Sequence, residues 1–514
     1  MNRRSPSALM AWPLAMVAAA VAAVVAGCAV GPDFKRPVAP EVSSFTAAPL
    51  PGSTAGGARA ADRPQHFVDA AASPPRWWSV FGSAEMDALV DRALRENPSL
   101  AAAQGALHQA QEIALAQRGA YLPALQAGYT PTRARVPDAT SSPLSSGASV
   151  YTLHTAQVSV SYLLDAFGGN RRKLESLQAQ SESQAWQLRA ARLTLAANVV
   201  NAALQEASLR DQLAATQRLI GIAKRQWELL QVQQRLGAAS GASVLAQETL
   251  LRQAEVAAAG LKKQLAQQRD LLAVLVGALP AQLQPPALDL STLRLPDVPT
   301  GLPANLIERR PDVRAAEAQV HSANAELGVA LANMFPQLML TANYGAGAEA
   351  FGKLFNPSSL LWGVGASLAQ PLFQGGALLH RNRAAQAQLD QALALYRSAV
   401  LNAFQNVADA LEAVHHDADQ HLAAMHQEQL AERLLAIAQR QLELGDVSTL
   451  VLLNAETAYL QATMARIQAH ASRLMDVVAV NQALGGSWNE QALSLDEVLD
   501  EPPDEALVTR DQAH

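Results

Sequence analysis

The run HHDADQH at 415–421 concentrates the chain's most obvious chemistry, because imidazole and carboxylate are metal donors. On a helix His415 and Asp419 sit one turn apart, and so do Asp417 and His421. Those two pairs point in different directions, so no single four-ligand site follows. The stretch reads as a polar, solvated helix face, and no metal is expected. Gly168-Gly169 and Gly375-Gly376 stand ahead of helical patterns, where a phosphate loop would stand. Their surroundings do not fit one. G-x-S-x-G, Walker A and H-E-x-x-H do not occur in the context their chemistry needs, so no enzyme is read. One reactive group is left, the thiol of Cys28. As the single cysteine it excludes an internal disulfide and any thiolate metal cluster.

Cys28 sits in an informative place. Arg3 and Arg4 precede an apolar stretch from about Ala8 to Ala26, which ends in Gly27-Cys28. A basic start, an apolar middle and small residues at the end describe a secretory signal over 1–27. A permanent membrane helix fits less well, since the stretch is barely long enough and Pro13 interrupts it. VAGC (Val25 to Cys28) resembles a bacterial lipobox, in which cleavage precedes the cysteine and its thiol carries diacylglycerol. Three acyl chains in all would anchor the mature N-terminus firmly. Ala29 after the cysteine favours the outer membrane, by the same resemblance. Residues 28–76 are rich in Pro, Ala, Gly and Ser without periodicity, and read as a lipidated, extended tether. The lipid is the only covalent group expected; no cofactor is.

Half the chain is hydrophobic, yet only 5% is aromatic and 16% charged, because Ala and Leu dominate. That mixture suits long helices. A net charge of −6 offers no basic surface for nucleic acid.

The elements that must position these residues are written twice. ENPSLAAAQGALHQAQEIALAQRGAYLPAL (96–125) aligns with RRPDVRAAEAQVHSANAELGVALANMFPQL (309–338). AFGGNRRKLESLQAQ (166–180) echoes LFQGGALLHRNRAAQAQ (372–388). RLGAASGASVLAQET (235–249) matches ELGDVSTLVLLNAET (443–457), and LVG (275–277) matches ALG (483–485). A period of about 200 residues is a duplicated domain, not a solenoid unit. The copies span 77–300 and 301–490, with a flexible, acidic tail over 491–514. Each has the order helix, two strands, long helix, turn, return helix. The first helix is expected over about 83–119 in one copy and 303–333 in the other.

Strands are expected at about 121–136, 151–165, 335–349 and 359–373. Leu338, Leu340, Ala342, Tyr344, Ala346 and Ala348 alternate with Thr341, Asn343, Gly345 and Gly347. Leu360, Trp362, Val364, Ala366 and Leu368 alternate with Gly363, Gly365 and Ser367. Period two with one polar face marks a strand, and roughly ten residues cross a bilayer when tilted. Four strands cannot close a barrel alone, which points to an oligomer. Coiled coils are expected at about 170–277 and 376–485. There Leu209, Leu213, Thr216 and Ile220, and later Leu251, Ala254, Ala258, Leu261 and Leu265, repeat every 3.5 residues.

GCAVGPDFKRP (27–37), LVDRALRENPSL (89–100), ERRPDVRAAEAQV (308–320) and the paired turns resemble the TolC-like outer membrane factors of the NodT and OprM lipoprotein type. The likeness runs from the signal to about residue 488. It implies a homotrimer in which four strands per protomer form one 12-stranded outer membrane β-barrel, continued by a periplasmic α-helical tube. It also implies a Gram-negative outer membrane lipoprotein that is the passive exit duct of a tripartite, RND-type efflux pump for toxic compounds such as drugs. Its partners would be a periplasmic adaptor, an inner-membrane transporter and outer membrane lipid. The exit duct of a type I protein secretion system is a rival of the same architecture. A non-pore periplasmic coiled-coil adaptor or scaffold is a rival of another class, opposed by the four amphipathic strands.

The resemblance places the two turns at the periplasmic tips. Gly237 and Gly445 follow long helices and suit the left-handed C-terminal position. Ser240 and Ser448 are placed to cap the return helices. Arg235, Gly237, Ser240, Gly445, Asp446 and Ser448 become adaptor-docking positions by family likeness. The likeness puts the narrowest ring after the second tip, at Leu450 and at Asn454, where relatives often carry Asp. An Asn ring hydrogen-bonds but carries no charge, so less cation selectivity is expected, with Asp446 near enough to replace part of it. Gly168, Gly169, Gly375 and Gly376 become the barrel-to-helix turns. Trp77 and Trp78 are expected to pack rather than bind a ligand.

Overall fold

The structure is a computed structural model that describes residues 29–486 except 39–41, 43, 47, 58–62, 69–75, 136–149 and 301–308. Cys28, the signal segment and the C-terminal tail lie outside the described residues. The chain order is α1 (Ala84–Glu96), α2 (Pro98–Arg118), β1 (Ala124–Arg135), β2 (Val150–Leu164), α3 (Gly169–Arg235), α4 (Gly241–Leu275), α5 (Pro311–Ala332), β3 (Gln337–Ala348), β4 (Leu360–Ala369), α6 (Ala377–Leu444) and α7 (Thr449–Ala483). Both copies therefore run helix, strand, strand, long helix, return helix. Copy one departs at its start. One helix was expected over 83–119, but Asn97 divides it, because the residue before a proline is pushed out of the helical region. The Asn97 carboxamide oxygen then accepts from the backbone N–H of Ser99 at 2.9 Å, and its nitrogen donates to the carbonyl of Leu275.

The chain separates into two compact units, and each draws segments from both copies. Among the described residues, one unit draws on 29–37, 106–185 and 315–397, and the other on 38–105, 186–314 and 398–486.

The first unit holds a four-stranded antiparallel sheet in the order β1-β2-β3-β4. Its register sets apolar residues opposite apolar residues: Val158 faces Tyr344, Val160 faces Ala342, Tyr344 faces Trp362 and Ala342 faces Val364. A one-residue slip would exchange the faces, so the alternating pattern fixes the pairing. Gly345 lies where a Cβ would meet the carbonyl oxygen of Ala156 at 2.2 Å, so close strand packing requires glycine there.

Residues 29–37 also belong to this unit and are packed, which differs from a free tether. The Val30 N–H donates to the carbonyl of Phe167. The buried Arg172 guanidinium donates to the Asp33 carboxylate at 2.7 Å, and Asn324 donates to the carbonyl of Pro32 at 2.8 Å. Phe34 stacks on His321 with ring centroids 4.4 Å apart, and Arg36 pairs with Glu317. At Gly31 a Cβ would lie 2.7 Å from the Cα of Gly328.

The second unit is built on the antiparallel pairs α3–α4 and α6–α7. Heptad positions form its core. Val244, Gln247, Leu251, Ala254, Ala258, Leu261, Leu265 and Leu272 of α4 are all buried. Leu209 of α3 packs with Leu261 and Leu265, joined by Met464 of α7. Trp77 and Trp78 are buried edge to face at 5.9 Å, as packing residues would be.

Candidate channel surfaces and hairpin tips

The sheet presents its apolar residues outward. Leu125, Tyr129, Val158, Leu340, Tyr344, Leu360, Trp362, Val364 and Leu368 are all exposed, and Val364 reaches 79%. By the pairing register they share one face. The opposite face carries Gln126, Gln157, Ser159, Thr341, Asn343 and Ser367. β1 and β4 are the edge strands, unpaired on their outer sides among the described residues. An apolar band ten to fifteen residues long, with free strand edges at both sides, is the form of a bilayer wall that other strands must complete. Among the described residues no helix is long and apolar enough to cross a membrane.

The strand-to-helix turns rest on glycines of positive φ. Gly168 (77°), Gly375 (59°) and Gly376 (84°) adopt it, while Gly169 does not. Asp165 completes the first turn by accepting from the N–H groups of Asn170 and Arg171, each at 3.0 Å. That carboxylate sits at the positive end of α3 and was not singled out by the sequence reading.

Both hairpin tips close with the same six-residue motif. Gly237 has φ 77° and Gly445 has φ 81°. The Ala238 N–H donates to the Gln233 carbonyl at 2.8 Å, and the Asp446 N–H donates to the Gln441 carbonyl at 2.9 Å. Gly237 and Gly445 bond to Gln234 and Leu442 in turn, which satisfies the helix-end carbonyls. Gly277 and Gly485 repeat the motif at the far ends of α4 and α7. Ser240 caps α4 as expected, with its hydroxyl accepting from the Ser243 N–H at 3.1 Å. Ser448 occupies the N-cap of α7 but makes no side-chain cap.

Arg235, Gly237, Ser240, Gly445, Asp446 and Ser448 are exposed, as are the equivalent leucines Leu236 and Leu444. Leu450 is 60% exposed, and Asn454 lies one turn further on the same side of α7. The hairpins meet just above the tips, where Leu453 of α7 packs on Ala223, Leu250 and Leu251.

The HHDADQH run divides. His415, His416 and Asp419 remain at the surface side of α6. His421 is 2% exposed, not solvated as expected, and lies against His470 of α7 with ring centroids 5.2 Å apart. The helical phase of α6 turns residue 421 into the seam with α7.

A sheet with an apolar outer face, assembled from two strands of each repeat and joined in one chain to paired long helices, is the build of an outer membrane channel. The outer membrane efflux protein family matches twice, over residues 89–278 and 302–486, and the chain belongs to it. The family is one of channels, not enzymes. The pyoverdine export outer membrane protein OpmQ of Pseudomonas putida is 30% identical over 422 residues, covering 80% of this chain and 88% of that protein. The toluene efflux pump outer membrane protein TtgC of the same species is 30% identical over 475 residues, covering 92% and 95%. The open-state structure of the Neisseria gonorrhoeae MtrE outer membrane channel superposes with a TM-score of 0.73 at 26% identity, covering 89% and 98%.

Proposed function

We propose that three copies close their sheets edge to edge into a twelve-stranded barrel, and that the helices continue it as a periplasmic duct for small toxic compounds. The observation that carries this is the exposed apolar sheet face bounded by the free edges of β1 and β4. Relatives named for toluene and pyoverdine export support small organic cargo. The duct is passive, and the energy comes from an inner-membrane transporter of the RND type through a periplasmic adaptor. The adaptor docks on the tips around Arg235, Gly237, Ser240, Gly445, Asp446 and Ser448. Leu450 and Asn454 of three copies form the constriction. Acylation of Cys28 anchors the chain, and the docked segment from Ala29 to Pro37 holds the anchor close to the sheet unit. Deletion of the protein, followed by a broad panel of toxic compounds, tests the reading. Increased susceptibility to several small molecules is expected. Unchanged susceptibility in cells that normally express the protein contradicts it.

A further inference from the structure

We infer that α6 carries a surface site for a divalent transition-metal ion of the zinc, nickel or copper class, held by His415, His416 and Asp419. One donor atom of each residue lies within 4.8 Å of the other two. The spacing explains the convergence: residues three and four apart share a helix face, so Asp419 lies beside both histidines. Glu412 falls on the same face one turn earlier, and its Oε2 is 3.5 Å from Nε2 of His416. Metal–ligand bonds of about 2.0–2.2 Å set tetrahedral donors about 3.3–3.6 Å apart. Sharing one ion therefore requires the three donors, which lie within 4.8 Å of one another, to draw closer by side-chain rotation. The imidazole rings are tilted by 43° with centroids 5.0 Å apart, not stacked face to face. Nδ1 of His415 is buried and takes no hydrogen bond among the described residues. In the tautomer that carries its proton on Nε2, this nitrogen is left as an unpartnered acceptor that a cation would satisfy.

Two imidazoles and one carboxylate favour zinc, nickel or copper over calcium or magnesium, which prefer oxygen donors. Three protein donors leave one position open for water or a further ligand. Glu412 either fills that position or orients the His416 ring from behind. Asp417 and His421 of the same run take no part. An ion held by successive helical turns binds the folded chain more tightly than the unfolded one, and so stabilises it by mass action.

The test uses the purified full-length protein, free of any affinity tag and stripped with chelator. It is titrated calorimetrically with Zn²⁺, with Co²⁺ as a spectroscopic probe. One ion per chain is expected, with a rise in thermal midpoint and visible d–d bands of bound Co²⁺. His415→Ala/His416→Ala and, separately, the exposed Asp419→Asn should each weaken binding at least about ten-fold. His426→Ala should leave it unchanged. Circular dichroism and size-exclusion profiles establish that each variant is folded. Absence of binding to the wild-type protein overturns the inference, and so does equal affinity in the folded double variant.

Discussion

The side-chain amide of Gln247 donates to the carboxylate of Glu456 at 3.5 Å, between the return helices of the two hairpins, where both residues are fully buried. The other Glu456 oxygen takes no hydrogen bond among the described residues. Burial pushes its carboxyl above the ordinary range, opposed by the Gln247 bond. The equivalent residue in copy one, Glu248, lies at the surface and pairs with Arg252. A carboxyl raised in this way contributes stability while protonated and loses it as the pH rises through its folded-state pKa. Glu456→Gln should therefore raise the thermal midpoint at pH 8, by roughly 1–2 kcal/mol equivalent, and give no gain at pH 4. Circular dichroism melts at a fixed scan rate check this; a lower midpoint at pH 8 would count against it.

Asp476 gives the same sign over a defined window. Burial and the neighbouring Asp417 push its carboxyl from 3.8 up to about 7, with Arg473 opposing. The folded chain holds a proton there that the unfolded chain has released. Stability from this group is full below pH 3.8 and declines as the pH rises to about 7. At about 1.4 kcal/mol per pKa unit the loss is bounded near 4 kcal/mol, and relaxation around the charge reduces it. Asp476→Asn should flatten the stability profile between those values. A profile as steep as the wild type's would refute the assignment.

The glycines of the repeated motif separate backbone strain from crowding. At Gly237 and Gly445 a Cβ would meet nothing within 4 Å, so alanine there costs only the left-handed backbone, about 1–2 kcal/mol. At Gly277 a Cβ would lie 2.3 Å from the Glu96 carbonyl oxygen, and at Gly485 it would lie 2.9 Å from that of Arg309. Gly277→Ala and Gly485→Ala should therefore destabilise more than Gly237→Ala and Gly445→Ala. Thermal midpoints of the four variants give the order, and equal effects would contradict it.

The strands and the tips were legible because they rest on local rules. Alternation placed Tyr344 and Trp362 each on the apolar face of its own strand, and a Gly at a helix end announced each turn. What stayed hidden depends on neighbours far away in sequence. Arg172 meets Asp33 across 139 residues and Asn324 meets Pro32 across 292, and no periodicity in 29–37 announces those contacts. Gln247 and Glu456 likewise acquire their burial from each other's helices. Glu248 and Glu456 are identical letters at matched positions, and only packing distinguishes them. The split of HHDADQH between surface and seam needed the rotational phase of α6 against α7.

A threefold ring of neutral amides attracts cations less than a ring of carboxylates. Asn454→Asp should shift the reversal potential of the assembled channel toward cations in a salt gradient. An unchanged potential would place Asn454 away from the constriction.

The most direct test of the duct itself is single-channel recording of the purified protein in planar bilayers, with Leu450→Ser alongside. Discrete conductance steps are expected, and they grow when Leu450 is made small and polar. Silence from both proteins, at concentrations where they insert, would contradict the duct.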